Sequence, residues 1–216
     1  MKVGRRELTT KGANSIEVKK MNRNAIYKFL YRHDPISIQE IARALKMSLP
    51  TVTQNIKELQ EKDLVIETGL FESTGGRKAK AIAYNSAARF AVGLDVTRNH
   101  VGIVLIDLSG KVIKNERRKY AFVNSKEYFE EIGNLVKSFV EDSNIESSKI
   151  LGVGIALPAI LSYDKQTVSY ATVIDFQGGS VESFSEFIPY PCILSNDANA
   201  AGLAELWIDG TIENVV

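Results

Sequence analysis

Apolar residues recur at helical spacing in the first third of the chain and change to strand-like runs beyond it. Ile26, Phe29 and Leu30 stand at i, i+3 and i+4, the stripe of an amphipathic helix. Pro35 disfavours helical geometry in the residue before it, so this helix is expected to stop near His33. Ser37 followed by Glu40 reads as a capping box opening a second helix, with Ile38, Ile41, Ala42 and Leu45 on its inner face. After the short connection Lys46–Met47, Ser48 is placed to cap a third helix. Pro50 falls in its first turn, where the missing N–H costs nothing, and Val52, Ile56 and Leu59 form its core face. Two short helices joined by a tight turn make a helix-turn-helix, whose later helix enters the DNA major groove. The β-prone run Leu64–Thr68 and a second that resumes after Gly75 and Gly76 predict a β-hairpin wing.

From residue 90 the pattern alternates strand and helix. FAVGL leads into Asp95, VGIVLIDLSGKVI reads as two strands around the turn Asp107–Gly110, and Ser125 caps a helix carrying Phe129, Ile132, Leu135, Val136 and Phe139. A buried strand follows at Ile150–Ala156, ending in Leu157-Pro158-Ala159. A further strand at Pro191–Leu194 ends in Ser195-Asn196-Asp197, with a helix over Ala198–Trp207 behind it. The alternation implies an α/β layer fold, in which ligand groups gather at the carboxyl ends of strands. By position alone, Asp197 is either the N-cap of its helix or a ligand-binding group.

Composition is that of an ordinary globular protein: 44% apolar and 25% charged over 216 residues, long enough for two modest domains. No apolar run approaches the ~20 residues needed to cross a bilayer, and a cytoplasmic, membrane-free protein is expected. Cys192 is the only cysteine, set among Pro191, Ile193 and Leu194 as a small buried hydrophobe. With His33 and His100 the only histidines, a Cys/His zinc site is not available in these residues. The net charge of +1 conceals a division: residues 1–84 hold 16 Lys and Arg against 9 Asp and Glu, net +7, and residues 85–216 hold 11 against 17, net −6. A basic part that neutralises phosphates is drawn to polyanions by counterion release. Residues 1–20, basic and poor in apolar side chains, are expected to form a flexible arm.

At 100° per residue Gln54 lies opposite the Val52–Ile56–Leu59 face, with Pro50, Thr51 and Lys57 on its flanks. Gln54 matches the donor and acceptor of adenine, Thr51 can meet a thymine methyl or a phosphate, and Lys57 can pair with a phosphate. Ser48 and Thr53 complete the set on this helix. Gly75, Gly76, Arg77 and Lys78 do so on the wing, where Lys80 adds charge and Arg77 can reach a phosphate or a narrow minor groove. Glu58 and Glu61 are expected to repel phosphate and tilt the far end of the helix away from DNA.

The phrases ELQEKDLVIETG and STGGRKAK, with Asn196-Asp197-Ala198-Asn199-Ala200-Ala201 later on, resemble the ROK family of repressors and sugar kinases, from about Asn22 to the last residue. The resemblance implies a winged helix-turn-helix over 21–84, after the arm of 1–20. Over 88–216 it implies the first lobe of an actin-like sugar-kinase (ribonuclease H-like) α/β fold. It also implies that Asn196 and Asp197 bind sugar hydroxyls, with Asp175 and Gly178 in the loop that offers further sugar contacts. In kinase relatives the residue matching Asp197 is the general base. Those kinases follow their first Asp with a glycine-rich phosphate cradle, whereas Val96-Thr97-Arg98-Asn99-His100 follows Asp95 without a glycine. The expectation is therefore a sugar-responsive, homodimeric repressor of duplex operator DNA and not an enzyme, the alternative being a ROK sugar kinase using Asp197. Relatives continue into a second lobe carrying a His/Cys zinc motif, whereas this chain ends in Gly210–Val216, where a new strand is expected to begin. Zinc is expected only in such a lobe and no cofactor in this chain, with fragment and natural truncation both left open.

Overall fold

Three helices and a hairpin form the N-terminal unit in a computed structural model of the chain. It describes residues 10–33, 35–70 and 79–208, and of residues 10–15 and 207–208 the backbone alone. Helix α1 (Thr10–Arg32) ends short of Pro35 as expected, but it begins well before Val18. The flexible arm assigned to 1–20 is thus corrected from Thr10 onward, while residues 1–9 lie outside the described residues. Lys11, Ala13, Glu17, Lys19 and Lys20 are strong helix formers, and a helix anchored downstream by buried Ile26 and Leu30 extends through them at little cost.

Helix α2 (Ile38–Ala44) opens on the full capping box. Ser37 Oγ accepts the Glu40 N–H at 3.3 Å, and Glu40 Oε2 accepts the Ser37 N–H at 3.0 Å. Lys46, at φ 53°, makes the tight turn into α3 (Leu49–Glu61), which Ser48 caps by accepting the Thr51 N–H at 3.3 Å. Strands β1 (Val65–Leu70) and β2 (Lys80–Tyr84) pair antiparallel. Ile36 bridges to Ile82 through two backbone bonds of 2.9 and 2.8 Å, so the α1–α2 link adds a third edge to the wing sheet. Ile26, Leu30, Ile41, Val52, Ile56, Leu59, Val65 and Ile82 make one core that every element enters.

The chain divides into two units, Met1–Ser86 and Ala87–Val216. The second is built on a five-stranded sheet of order β5-β4-β3-β6-β9. Strands β3 (Phe90–Val96), β4 (His100–Asp107) and β5 (Val112–Lys119) form an antiparallel meander, whereas β6 (Ile150–Leu157) and β9 (Cys192–Asn196) run parallel to β3. Asp107 makes the β4–β5 turn, its Oδ1 accepting the N–H groups of Ser109 and Lys111 at 2.8 and 3.0 Å. Helix α4 (Lys126–Glu141), capped by Ser125, buries Phe129, Ile132, Val136 and Phe139 in the same core as the inward residues of β3, β4 and β6. Two short strands, β7 (Ile160–Leu161) and β8 (Val168–Tyr170), and the single turn α5 (Glu182–Ser185) follow; Val168 of β8, Phe184 of α5 and Phe176 of the loop between them join that core. Helix α6 (Asp197–Ile208) follows β9 directly. The alternation had shown none of β7, β8 and α5, which are too short to carry a period.

Candidate functional site

In the first unit the geometry turns on α3. Val52, Ile56 and Leu59 are buried, so the opposite side of the helix carries Pro50, Thr53, Gln54 and Lys57 into solvent. The Ser48 hydroxyl is occupied by capping and lies 2.8 Å from Thr51 Oγ1, so both serve the helix start as well as standing at the candidate surface. Asn55, on the buried side, returns its amide to the Thr51 carbonyl at 2.8 Å.

Residues of α1 join this surface, which sequence reasoning did not foresee. Lys19 and Asn22 line a shallow groove of about 570 Å³ with Pro50, Thr51, Gln54 and Asn55. Arg23 Nη1 donates to Glu58 Oε2 at 3.2 Å, and Gln54 Nε2 donates to Glu58 Oε1 at 3.2 Å. Glu58, expected to repel phosphate, is not free in the structure: both of its oxygens accept hydrogen bonds. The Gln54 amide, and behind it Arg23, hold its carboxyl below the ordinary glutamate range against a partial burial that acts the other way. The i, i+4 spacing of Gln54 and Glu58 was a readable signal. That of Arg23, 35 residues from Glu58, was not.

On the wing, Gly75, Gly76, Arg77 and Lys78 lie outside the described residues. Lys80 sits at the start of β2 and donates to Glu67 at 2.9 Å, so its charge is shared with a carboxylate.

In the second unit the polar candidates gather at the carboxyl edge of the parallel strands. Asn196 ends β9; its Oδ1 accepts the Asn199 N–H at 2.9 Å, and its Nδ2 donates to the Ala159 carbonyl at 3.1 Å and to Asp197 Oδ1 at 3.2 Å. The cap role considered for Asp197 therefore belongs to Asn196, one residue earlier. Asp197 stands in the first turn of α6, where the unpaired N–H groups favour a carboxylate. Asn196 lines an open cleft of about 670 Å³ with Ser162, Lys165, Ser195 and Asn199, walled on its apolar side by exposed Ile160 and Leu203.

Asp175 lies instead on a separate pocket of about 360 Å³, with Arg98, Phe122 and Thr172. Gly178 turns the chain at φ +74° and gives its N–H to the Val168 carbonyl at 2.9 Å, a use of glycine that the backbone requires. Asn196 and Asp197 are thus adjacent at the strand ends, while Asp175 shares its pocket with Arg98.

The segment after Asp95 is a closed turn. Thr97 Oγ1 accepts the His100 N–H at 3.1 Å and donates to the His100 carbonyl at 3.0 Å, which also accepts the Thr97 N–H at 3.0 Å. Cys192 donates to the Tyr190 carbonyl at 3.3 Å, and burial pushes its thiol up to about 11, as suits a packed side chain. Among the described residues no three His, Cys, Asp or Glu side chains are grouped as they would be to hold a metal ion. Nor is any described helix long and apolar enough to cross a membrane.

Comparison with known proteins places both units. The ROK family model matches residues 91–216, and a winged helix-turn-helix DNA-binding model matches residues 22–66. The xylose repressor of Bacillus subtilis is 26% identical over 198 residues, 89% of this chain and 50% of that protein. The DNA-binding transcriptional dual regulator NagC of Escherichia coli is 26% identical over 189 residues, 87% of this chain and 47% of its own length. The chain thus spans about half the length of these relatives. A crystal structure of a ROK family transcriptional regulator, a homologue of the E. coli MLC protein, superposes with a TM-score of 0.69 at 19% identity. The match covers 88% of this chain and 48% of that one, and shows a shared fold. With more than half of its length matched by the family model, and a winged helix-turn-helix ahead of the matched lobe, the chain belongs to the ROK family.

Proposed function

We propose that this chain is a transcriptional regulator, a repressor of carbohydrate-utilisation genes, which binds duplex operator DNA through α3 and the wing and answers to a sugar. The observation that carries this is the two-sidedness of α3. Its buried residues hold it against the helix-turn-helix core, while Pro50, Thr53, Gln54 and Lys57 face outward with Thr51 beside them. Ser48 sets the helix start, and Gly75, Gly76, Arg77 and Lys78 extend the contact to the backbone from the wing. The +7 charge of residues 1–84 supports polyanion binding, and the repressors and regulators among the relatives support the transcriptional reading. The protein acts in the cytoplasm as a homodimer meeting paired half-sites about one helical turn apart. Asn196 and Asp197 hold the sugar, and Asp175 and Gly178, although Asp175 lines a separate pocket, contribute further sugar contacts.

The second reading, a sugar kinase with Asp197 as general base, draws on the carboxylate's position at the carboxyl edge of the sheet. The turn after Asp95 weighs against it. A phosphate cradle needs free, converging N–H groups, and here those of Thr97 and His100 are consumed within the turn. The chain needs neither metal nor cofactor in this role. Selection of random duplexes by the full chain at physiological salt, followed by elution with simple sugars, tests the proposal. An enriched, two-fold-related motif released by one sugar class is expected, and the absence of any enriched motif would overturn it.

A further inference from the structure

Gln54 sits at the centre of the outward face of α3, and its amide is already engaged. Nε2 gives a hydrogen to Glu58 Oε1 at 3.2 Å, and Glu58 Oε2 is held by Arg23 Nη1 at 3.2 Å from α1. Arg23 and Glu58 are only 27% and 26% exposed, so this ion pair is partly sheltered, unlike a loose surface contact. Gln54 meanwhile also lines the groove between α1 and α3.

An isolated glutamine amide can rotate by half a turn, exchanging its donor and acceptor ends. Glu58, an acceptor only, pins the nitrogen on its own side. One amide hydrogen and the carbonyl oxygen then remain for a base edge. Adenine presents an N7 acceptor beside an N6–H donor, which matches that pair, whereas guanine presents two acceptors and sets O6 against the glutamine oxygen.

We propose that Arg23 and Glu58 are positioning residues that fix the flip of the Gln54 amide, so that α3 takes adenine and refuses guanine at one step of the operator. The proposal rests on the reading that α3 enters the major groove. Glu58 then raises specificity while its charge lowers bulk affinity for the polyanion, and these two effects separate on mutation.

The full chain is first used to select a duplex motif, and the base pair whose preference is lost in Gln54→Ala is identified. The ratio of affinities for A·T over G·C at that pair is then measured for wild type, Glu58→Ala and Glu58→Gln, along with affinity for scrambled duplex. A bidentate contact gives roughly 5- to 150-fold discrimination, and losing the pre-set side chain should cut it by about 2- to 12-fold in Glu58→Ala. In the same variant, binding to scrambled duplex should rise. Glu58→Gln offers the amide a donor as well as an acceptor, so it no longer fixes the flip and should lose the ratio much as Glu58→Ala does. A merely repulsive Glu58 would leave the ratio unchanged while scrambled binding rose, and a merely structural one would lower both affinities together. Either result overturns the proposal while the regulator reading stands. If the wild type selects no motif at all, the regulator reading itself has failed and takes this one with it.

Discussion

Asn196 donates through Nδ2 to the carbonyl oxygen of Ala159 at 3.1 Å, tying the carboxyl end of β9 to the turn that follows β6. Its Oδ1 meanwhile caps α6 at the Asn199 N–H. Removing both contacts in Asn196→Ala should cost about 1–3 kcal/mol. Asp197→Ala, which loses a carboxylate from a helix start, should cost about 0.3–1 kcal/mol. Thermal unfolding of the two variants separates these roles, and equal losses would place the cap wrongly.

The capping box of α2 makes a pH signature. Ser37, through its hydroxyl and then its backbone N–H, holds the Glu40 carboxyl below its ordinary value of 4.5. A carboxyl lowered in the folded state stabilises the fold above its unfolded pKa, and the gain disappears as pH falls through the folded pKa. Wild type should therefore exceed Glu40→Gln in stability near neutrality and converge on it below pH 4.5. A gap that widened in acid would contradict this. Urea unfolding across the acid range reads it.

Gly152 lies where β6 passes the start of β9, and a methyl group there would stand 2.6 Å from the Pro191 carbonyl oxygen. That oxygen accepts the Val153 N–H at 2.8 Å, so Gly152→Ala should strain the β6–β9 pairing that places Asn196. A loss of about 1–3 kcal/mol is expected in chemical denaturation. An unchanged midpoint would show that the strands yield freely.

Phosphoryl transfer should be undetectable, since the turn from Val96 to His100 has no glycine and spends the N–H groups of Thr97 and His100 internally. ATP turnover is measured with hexoses and amino sugars. Turnover that disappears in Asp197→Asn would promote the kinase reading.

What was legible in the sequence was local. Ser37 with Glu40, Ser48 with Pro50, and Ser125 ahead of an apolar stripe announce their helices because caps and the faces they open lie within a few residues. The start of α1 was missed because a helix with no buried stripe has propensity alone as its signal, and Ile16, Val18 and Met21 are indeed exposed. Asn and Asp cap equally well, so adjacent Asn196 and Asp197 could not be told apart without the Asn199 bond. The partnership of Arg23 with Glu58 and the pocket that Arg98 and Asp175 share bring together residues far apart in the chain, which no periodicity records.

The proposed role of α3 is to read base sequence. Affinity of the full chain for its selected duplex should exceed that for a scrambled duplex of equal length by about 10³-fold or more at physiological salt. Gln54→Ala should reduce that ratio by the ~1–3 kcal/mol of a bidentate base contact. Equal affinity for the two duplexes, or a ratio that Gln54→Ala leaves untouched, would contradict it.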